Sequence, residues 1–212
     1  MPRSFKKGGI MYLISVCTAS VILMAGSFWY CYQILREEVH PPPATFIILS
    51  FTFPLALYLY TQKPDWSFSA NIGLTVGVVS VWVVSVFLIA KLFIQKKLSI
   101  EVNLFQRITI LVSLIILLFW FITKDQLTAY ILLQISALVS YIPVIKNLWN
   151  AEKNRDSIMF WGSLFLSTCV ASYAAYERND IQSWIYIIRA IPSTMVVLLM
   201  MIRIELRQKA LR

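Results

Sequence analysis

Charge is scarce in this chain: Asp, Glu, Lys and Arg make up 14% of its 212 residues, against about 25% in an ordinary soluble domain. Hydrophobic residues make up 59% and the mean hydropathy is +0.73. A water-soluble globular domain is excluded, and so is disorder, which needs low hydrophobicity. Cysteine is scarce as well. Cys17, Cys31 and Cys169 are odd in number and sit in apolar runs, so they read as small buried hydrophobes and not as a disulfide framework. The one histidine, His40, stands beside Pro41, Pro42 and Pro43 with no cysteine nearby, whereas a metal site needs three or four ligands. No carboxylate pair falls inside an apolar run, which leaves acid–base catalysis and proton coupling within such a run without agents. Walker and other glycine-rich phosphate motifs are missing, and the last apolar run has no lysine for a retinal. The expectation is a protein with no enzymatic activity, no cofactor and no metal.

What the chain has is long apolar runs. A hydrocarbon core of about 30 Å needs roughly 20 apolar residues per helix. Seven stretches qualify, at 10–32, 44–62, 70–94, 104–122, 127–148, 157–175 and 181–202. In lipid each must satisfy its own backbone, so helix is the reading; the short alternating segments of a barrel are missing. The first span follows Arg3, Lys6 and Lys7 like a signal peptide, but it runs on through Phe28, Trp29 and Tyr30, too far for an h-region. It reads as a retained helix. The whole of 1–212 is one polytopic membrane domain.

The net charge of +9 does not point to nucleic acid, because the basic residues gather at the ends of the spans, as they do beside a bilayer. Six of the 19 lie on one side (Arg3, Lys6, Lys7, Lys63, Lys124 and Arg178). Twelve lie on the other: Arg36, Lys91, Lys96, Lys97, Arg107, Lys146, Lys153, Arg155, Arg203, Arg207, Lys209 and Arg212. The positive-inside rule puts the second side in the cytoplasm, with the N-terminus out and the C-terminus in. Trp29, Trp66, Trp149 and Trp184, near span ends, fit an interfacial aromatic belt.

Slid on itself by about 113 residues, the chain matches weakly but over a long stretch: 30–51 falls on 143–164, Ser50 on Ser163 and Tyr60 on Tyr173. The seven spans then divide into a repeat at 10–94, a linker helix at 104–122 and a second repeat at 127–202. An odd linker gives both triplets the same orientation, that of parallel repeats about an axis along the membrane normal.

This three-plus-one-plus-three plan, N-out, resembles the SWEET/PQ-loop transporter superfamily. The run 141–149, containing Pro143, with Ser157 opening the next helix, is similar to the proline-anchored loop region of those repeats. The loop 35–45 resembles that of seven-helix bacterial membrane proteins of the same plan. The family's Pro-Gln pair is Pro143-Val144 here, and its paired pocket asparagines have no clear counterpart. The resemblance implies a facilitative carrier, of a sugar in the nearest cases, with Pro143 and Pro54 as counterparts of its hinge prolines.

Arg189 is the one clear ionisable residue inside a span. Nine residues beyond Asp180, it lies roughly 13 Å into the seventh helix. Such a residue is a candidate functional site by default, and its guanidinium can hold a carboxylate or phosphate in bidentate fashion. The alternative is structural: a pair with Asp125 or Asp180, or with carbonyls freed by Pro192. Gln134, Ser136, Ser140 and Tyr141 make the fifth span polar. Gln134, Leu138 and Tyr141 share a face by spacing, so Gln134 and Tyr141 are expected to wall a cavity. Asn71, Ser80 and Thr52 are further polar candidates, and Trp82 a stacking face. Pro54, Pro143 and Pro192 each remove a backbone hydrogen bond and bend a helix. Gly73 with Gly77, and Ser163 with Ser167 and Ala171, repeat at four and allow close helix packing.

These readings converge on a carrier of a small polar solute, a sugar or a small carboxylate, rocking around a midplane cavity. The partners are that solute and the bilayer, with no nucleic acid; a homo-oligomer is compatible with the layout. The short loops point to a bacterial cytoplasmic (inner) membrane. The second reading is a receptor, sensor or assembly factor that binds without transporting, its basic C-terminal end docking a partner or anionic lipid.

Overall fold

The computed structural model describes residues 9–41, 43–94 and 104–210. Arg3, Lys6, Lys7, Pro42, Lys96, Lys97 and Arg212 lie outside them. Among the described residues the regular elements are all helices: α1 (Gly9–Leu35), α2 (Pro43–Thr61), α3 (Ile72–Ile94), α4 (Leu104–Thr123), α5 (Gln126–Val139), α6 (Ile142–Trp149), α7 (Ile158–Arg178) and α8 (Ile181–Ala210). The fifth span is divided. Pro143 stands in the first turn of α6 and has no N–H for the Val139 carbonyl. The chain tightens there, with Tyr141 N–H bonded to the Leu138 carbonyl, so α5 and α6 form one bent rod.

Five runs are long and apolar enough to cross a membrane, namely α1, α3, the α5–α6 rod, α7 and α8; α2 and α4 add two shorter apolar helices. Large apolar side chains face outward along them, among them Phe28, Val86, Leu118, Ile188 and Leu199. Hydroxyls and an arginine are buried inside. That is the inverse of a soluble protein and the arrangement a lipid solvent selects. The chain is an integral membrane helical protein.

Polar side chains cap the helix ends. The Asp125 side chain accepts from Thr128 N–H at the start of α5, and that of Ser157 from Phe160 N–H at the start of α7. Asn179 ends α7 in the left-handed conformation (φ 48°), which asparagine tolerates. Asp180 then accepts from Gln182 N–H to open α8.

α1 packs on α7 and α3; α2 packs on α3, α4 and α5; α5, α6 and α7 all pack on α8; and α3 touches α8. Small residues set the closest approaches. A Cβ on Gly26 would lie 1.8 Å from Ser163 Oγ, so only glycine fits where α1 crosses α7. Ser167 Oγ donates to the Ala19 carbonyl and Ser15 Oγ to the Val170 carbonyl across the same seam. On α3, a Cβ at Gly73 would lie 2.7 Å from Tyr186 Cε1. The space that glycine leaves is where α8 seats the Tyr186 ring.

Candidate functional site

α8 carries Arg189 inward, where the residue is 7% exposed. It lies eight residues beyond Ile181, about 12 Å along the axis. Its Nε donates to Gln134 Oε1 of α5 at 3.1 Å, and Nη1 donates to the Tyr141 hydroxyl at the α5–α6 bend at 3.5 Å. Tyr186, one turn earlier on α8, sets its ring 4.8 Å from the guanidinium carbon, and Phe53 of α2 sets another at 5.2 Å. These contacts orient the group without neutralising it. Nη2 is buried with no hydrogen-bond partner, and among the described residues no carboxylate pairs with Arg189. A charge held this way in a membrane-spanning helix is costly, and cation–π contacts of about 1–2 kcal/mol each offset part of that.

Of the residues singled out in the sequence, Arg189, Gln134 and Tyr141 meet. Leu138, expected on the same face, is 46% exposed; the bend after Val139 turns Tyr141 inward out of line with it. Asn71 is buried at the foot of α3, where it donates to the Tyr130 hydroxyl. Trp82 is not a stacking face for an internal solute. It is 53% exposed on the outer surface, and its indole N–H donates to the Ser50 carbonyl at 3.2 Å. That carbonyl is the one Pro54 leaves without a helical donor. The helices run on through Pro54 and Pro192; a break occurs at Pro143 alone of the three. Thr52 reaches Ser113, which bonds Ser136, and Ser80 pairs with Ser27.

Neither acid considered as a mate for Arg189 fills that role. Asp125 caps α5. Asp180 accepts from Lys63 Nζ at 3.0 Å and from the Tyr60 hydroxyl at 2.6 Å, tying α8 to α2 at one end of the bundle. Burial raises the Asp180 carboxyl, but the hydrogen bonds from Tyr60 and Lys63 and the lysine charge outweigh it and hold it below the ordinary aspartate value.

At the opposite end a second carboxylate, not singled out in the sequence, does similar work. Asp156 accepts from the Tyr30 hydroxyl of α1 at 2.6 Å, from the Trp161 indole at 3.1 Å and from Ser157 N–H at 2.8 Å. Burial raises its carboxyl above the ordinary value against the pull of those donors. Tyr30 is 126 residues away in sequence, and no local spacing signals the pair. Phe53 lacked a signal for the same reason; Tyr186, three residues before Arg189 on one helix, carried one.

On the Asp156 side of the bundle interior lies a narrow crevice with about 20 Å³ of room, lined by Phe46, Leu49, Phe53, Tyr141, Trp161 and Leu164 among others. Two of its lining residues, Phe53 and Tyr141, also touch the Arg189 guanidinium. A wider concavity of about 730 Å³ lies at the Asp156 end, among His40, Lys146, Lys153 and Arg155; these four side chains are exposed, and the buried unpaired charge is elsewhere. Among the described residues no three His, Cys, Asp or Glu side chains are grouped to hold a metal ion. Neither family models, curated proteins nor solved structures match this chain.

Proposed function

We propose that this protein is a facilitative carrier of a small polar solute, built as two parallel three-helix repeats with α4 as linker, on the plan that resembles the SWEET/PQ-loop superfamily. The observation that carries the reading is Arg189: a buried guanidinium with an unengaged nitrogen, aligned by Gln134 and Tyr141 beside a narrow crevice. A purely structural arginine in a membrane interior is paired within the protein; this one is left with donors to offer a solute.

The helix contacts support the repeat. The third helix of each triplet lies between the other two: α3 between α1 and α2, and α8 between the α5–α6 rod and α7. Exchanging the triplets turns the α1–α7 contact into the α5–α2 contact and leaves α3–α8 in place, as a two-fold axis along the membrane normal requires. Each end is tied across the triplets by one carboxylate, Asp180 to Lys63 and Tyr60 of α2, and Asp156 to Tyr30 of α1. Alternating access then consists of releasing one tie while the other holds, with the Pro143 bend taking up the motion. With the N-terminus outside, Asp180 is the outer tie and Asp156 the inner one, in a bacterial cytoplasmic membrane.

The test is solute counterflow in proteoliposomes. Saturable exchange that disappears in Arg189→Gln is expected. Arg189-dependent binding without flux identifies a receptor instead.

A further inference from the structure

We infer that the solute is a monocarboxylate with an apolar or aromatic body; the inference rests on Arg189 being the solute site. The first argument is hydrogen-bond polarity. Arginine can only donate, so the Gln134 oxygen and a Tyr141 lone pair are already taken by Nε and Nη1. The excess is in donors: both N–H groups of Nη2, the Gln134 amide N–H groups and the Tyr141 hydroxyl proton. Of these, Nη2 is buried and has no acceptor. A sugar hydroxyl brings lone pairs but no charge, and would leave the buried guanidinium as unneutralised as before. A carboxylate is acceptor-only and supplies the missing negative charge. It fits the outer edge of the guanidinium formed by Nη1 and Nη2, with Tyr141 donating to one oxygen.

The second argument is the crevice. Its walls away from Arg189 are Phe46, Leu49, Trp161 and Leu164, with about 20 Å³ of room between them, space for about one water; opened by release of the Asp156 tie, such walls favour an apolar body over a second charge. Ser80, the polar group besides Tyr141 on that wall, is already bonded to Ser27. A further consequence follows for the cycle. A guanidinium neutralised by solute costs less to enclose in the state with both ties closed than a bare one, so exchange outpaces net flux.

The test is binding of radiolabelled benzoate to the purified full chain in nanodiscs, competed by butyrate, benzyl alcohol and glucose, together with benzoate counterflow in proteoliposomes. Neutral to alkaline pH keeps the freely permeant neutral acid scarce. Butyrate is expected to compete and the two neutral compounds not to. Tyr141→Phe should weaken benzoate about tenfold, the loss of one hydrogen bond to a charged group. Arg189→Gln should abolish binding while its melting temperature holds, since it removes an unpaired charge. Absence of benzoate binding up to tens of millimolar, or binding that persists in Arg189→Gln, overturns the inference. Glucose exchange that depends on Arg189 overturns it and leaves the carrier standing. Arg189-dependent benzoate binding without counterflow upholds the ligand class and removes the carrier.

Discussion

Asp180 and Asp156 differ in what surrounds them, and the difference sets opposite responses to acid. The Asp180 carboxyl is held below its ordinary value by Tyr60 and Lys63. Its contribution to stability is therefore whole above the unfolded pKa of about 3.9 and is lost as pH falls through the folded value. Asp156 is raised by burial, so its folded form binds the proton more tightly than the unfolded chain. That contribution is present at low pH and is lost as pH rises from about 4 through the folded value. In thermal melts of the detergent-solubilised protein, Asp180→Asn should cost about 2 kcal/mol at neutral pH and flatten the acid-side loss. Asp156→Asn should flatten the decline above pH about 4. An Asp180→Asn chain that keeps the full acid-side loss counts against this assignment. The sequence offers Asp180 as a possible mate for Arg189; what it does not carry is that Lys63, 117 residues earlier, ends beside it.

Element by element, the seven apolar runs were legible because a lipid solvent demands length and hydrophobicity of each span separately. The division of the fifth was foreshadowed by Pro143. The position of Trp82 was not, since an apolar helix in lipid has no polar side to mark its outer face and α3 is hydrophobic all round. Its partner was latent in the sequence: Pro54 orphans the Ser50 carbonyl, and a donor had to come from a neighbouring helix. This makes a double-mutant cycle informative. Trp82→Phe alone should destabilise by about 1 kcal/mol through loss of the indole N–H. In a Pro54→Ala background, residue 54 supplies its own N–H to Ser50 and the cost of Trp82→Phe should fall toward zero. Additive effects in the melts of the four chains remove the proposed pairing.

For the whole molecule, the proposed orientation and the two end ties make one joint prediction. With Cys17, Cys31 and Cys169 replaced, a cysteine at Asp65 should react with an impermeant thiol reagent from outside in intact cells, and one at Asn150 only after the membrane is opened. Leu164→Cys, in the crevice, should be protected in the parent chain. It should react several-fold faster from the Asn150 side when Tyr30→Phe removes the bond to Asp156. Equal protection with and without Tyr30 would sink the gating role of that tie. The sequence by itself determined that the chain lives in a bilayer, where its helices run and that one arginine is stranded among them, because hydropathy and length are local properties. The tertiary structure decided which acids, rings and amides surround that arginine. Gln134, Tyr141 and Phe53 reach it from other helices, and Asp180 turns instead to Lys63. Those choices depend on how glycine and serine seams let particular helices approach, which is settled by packing across more than a hundred residues of chain.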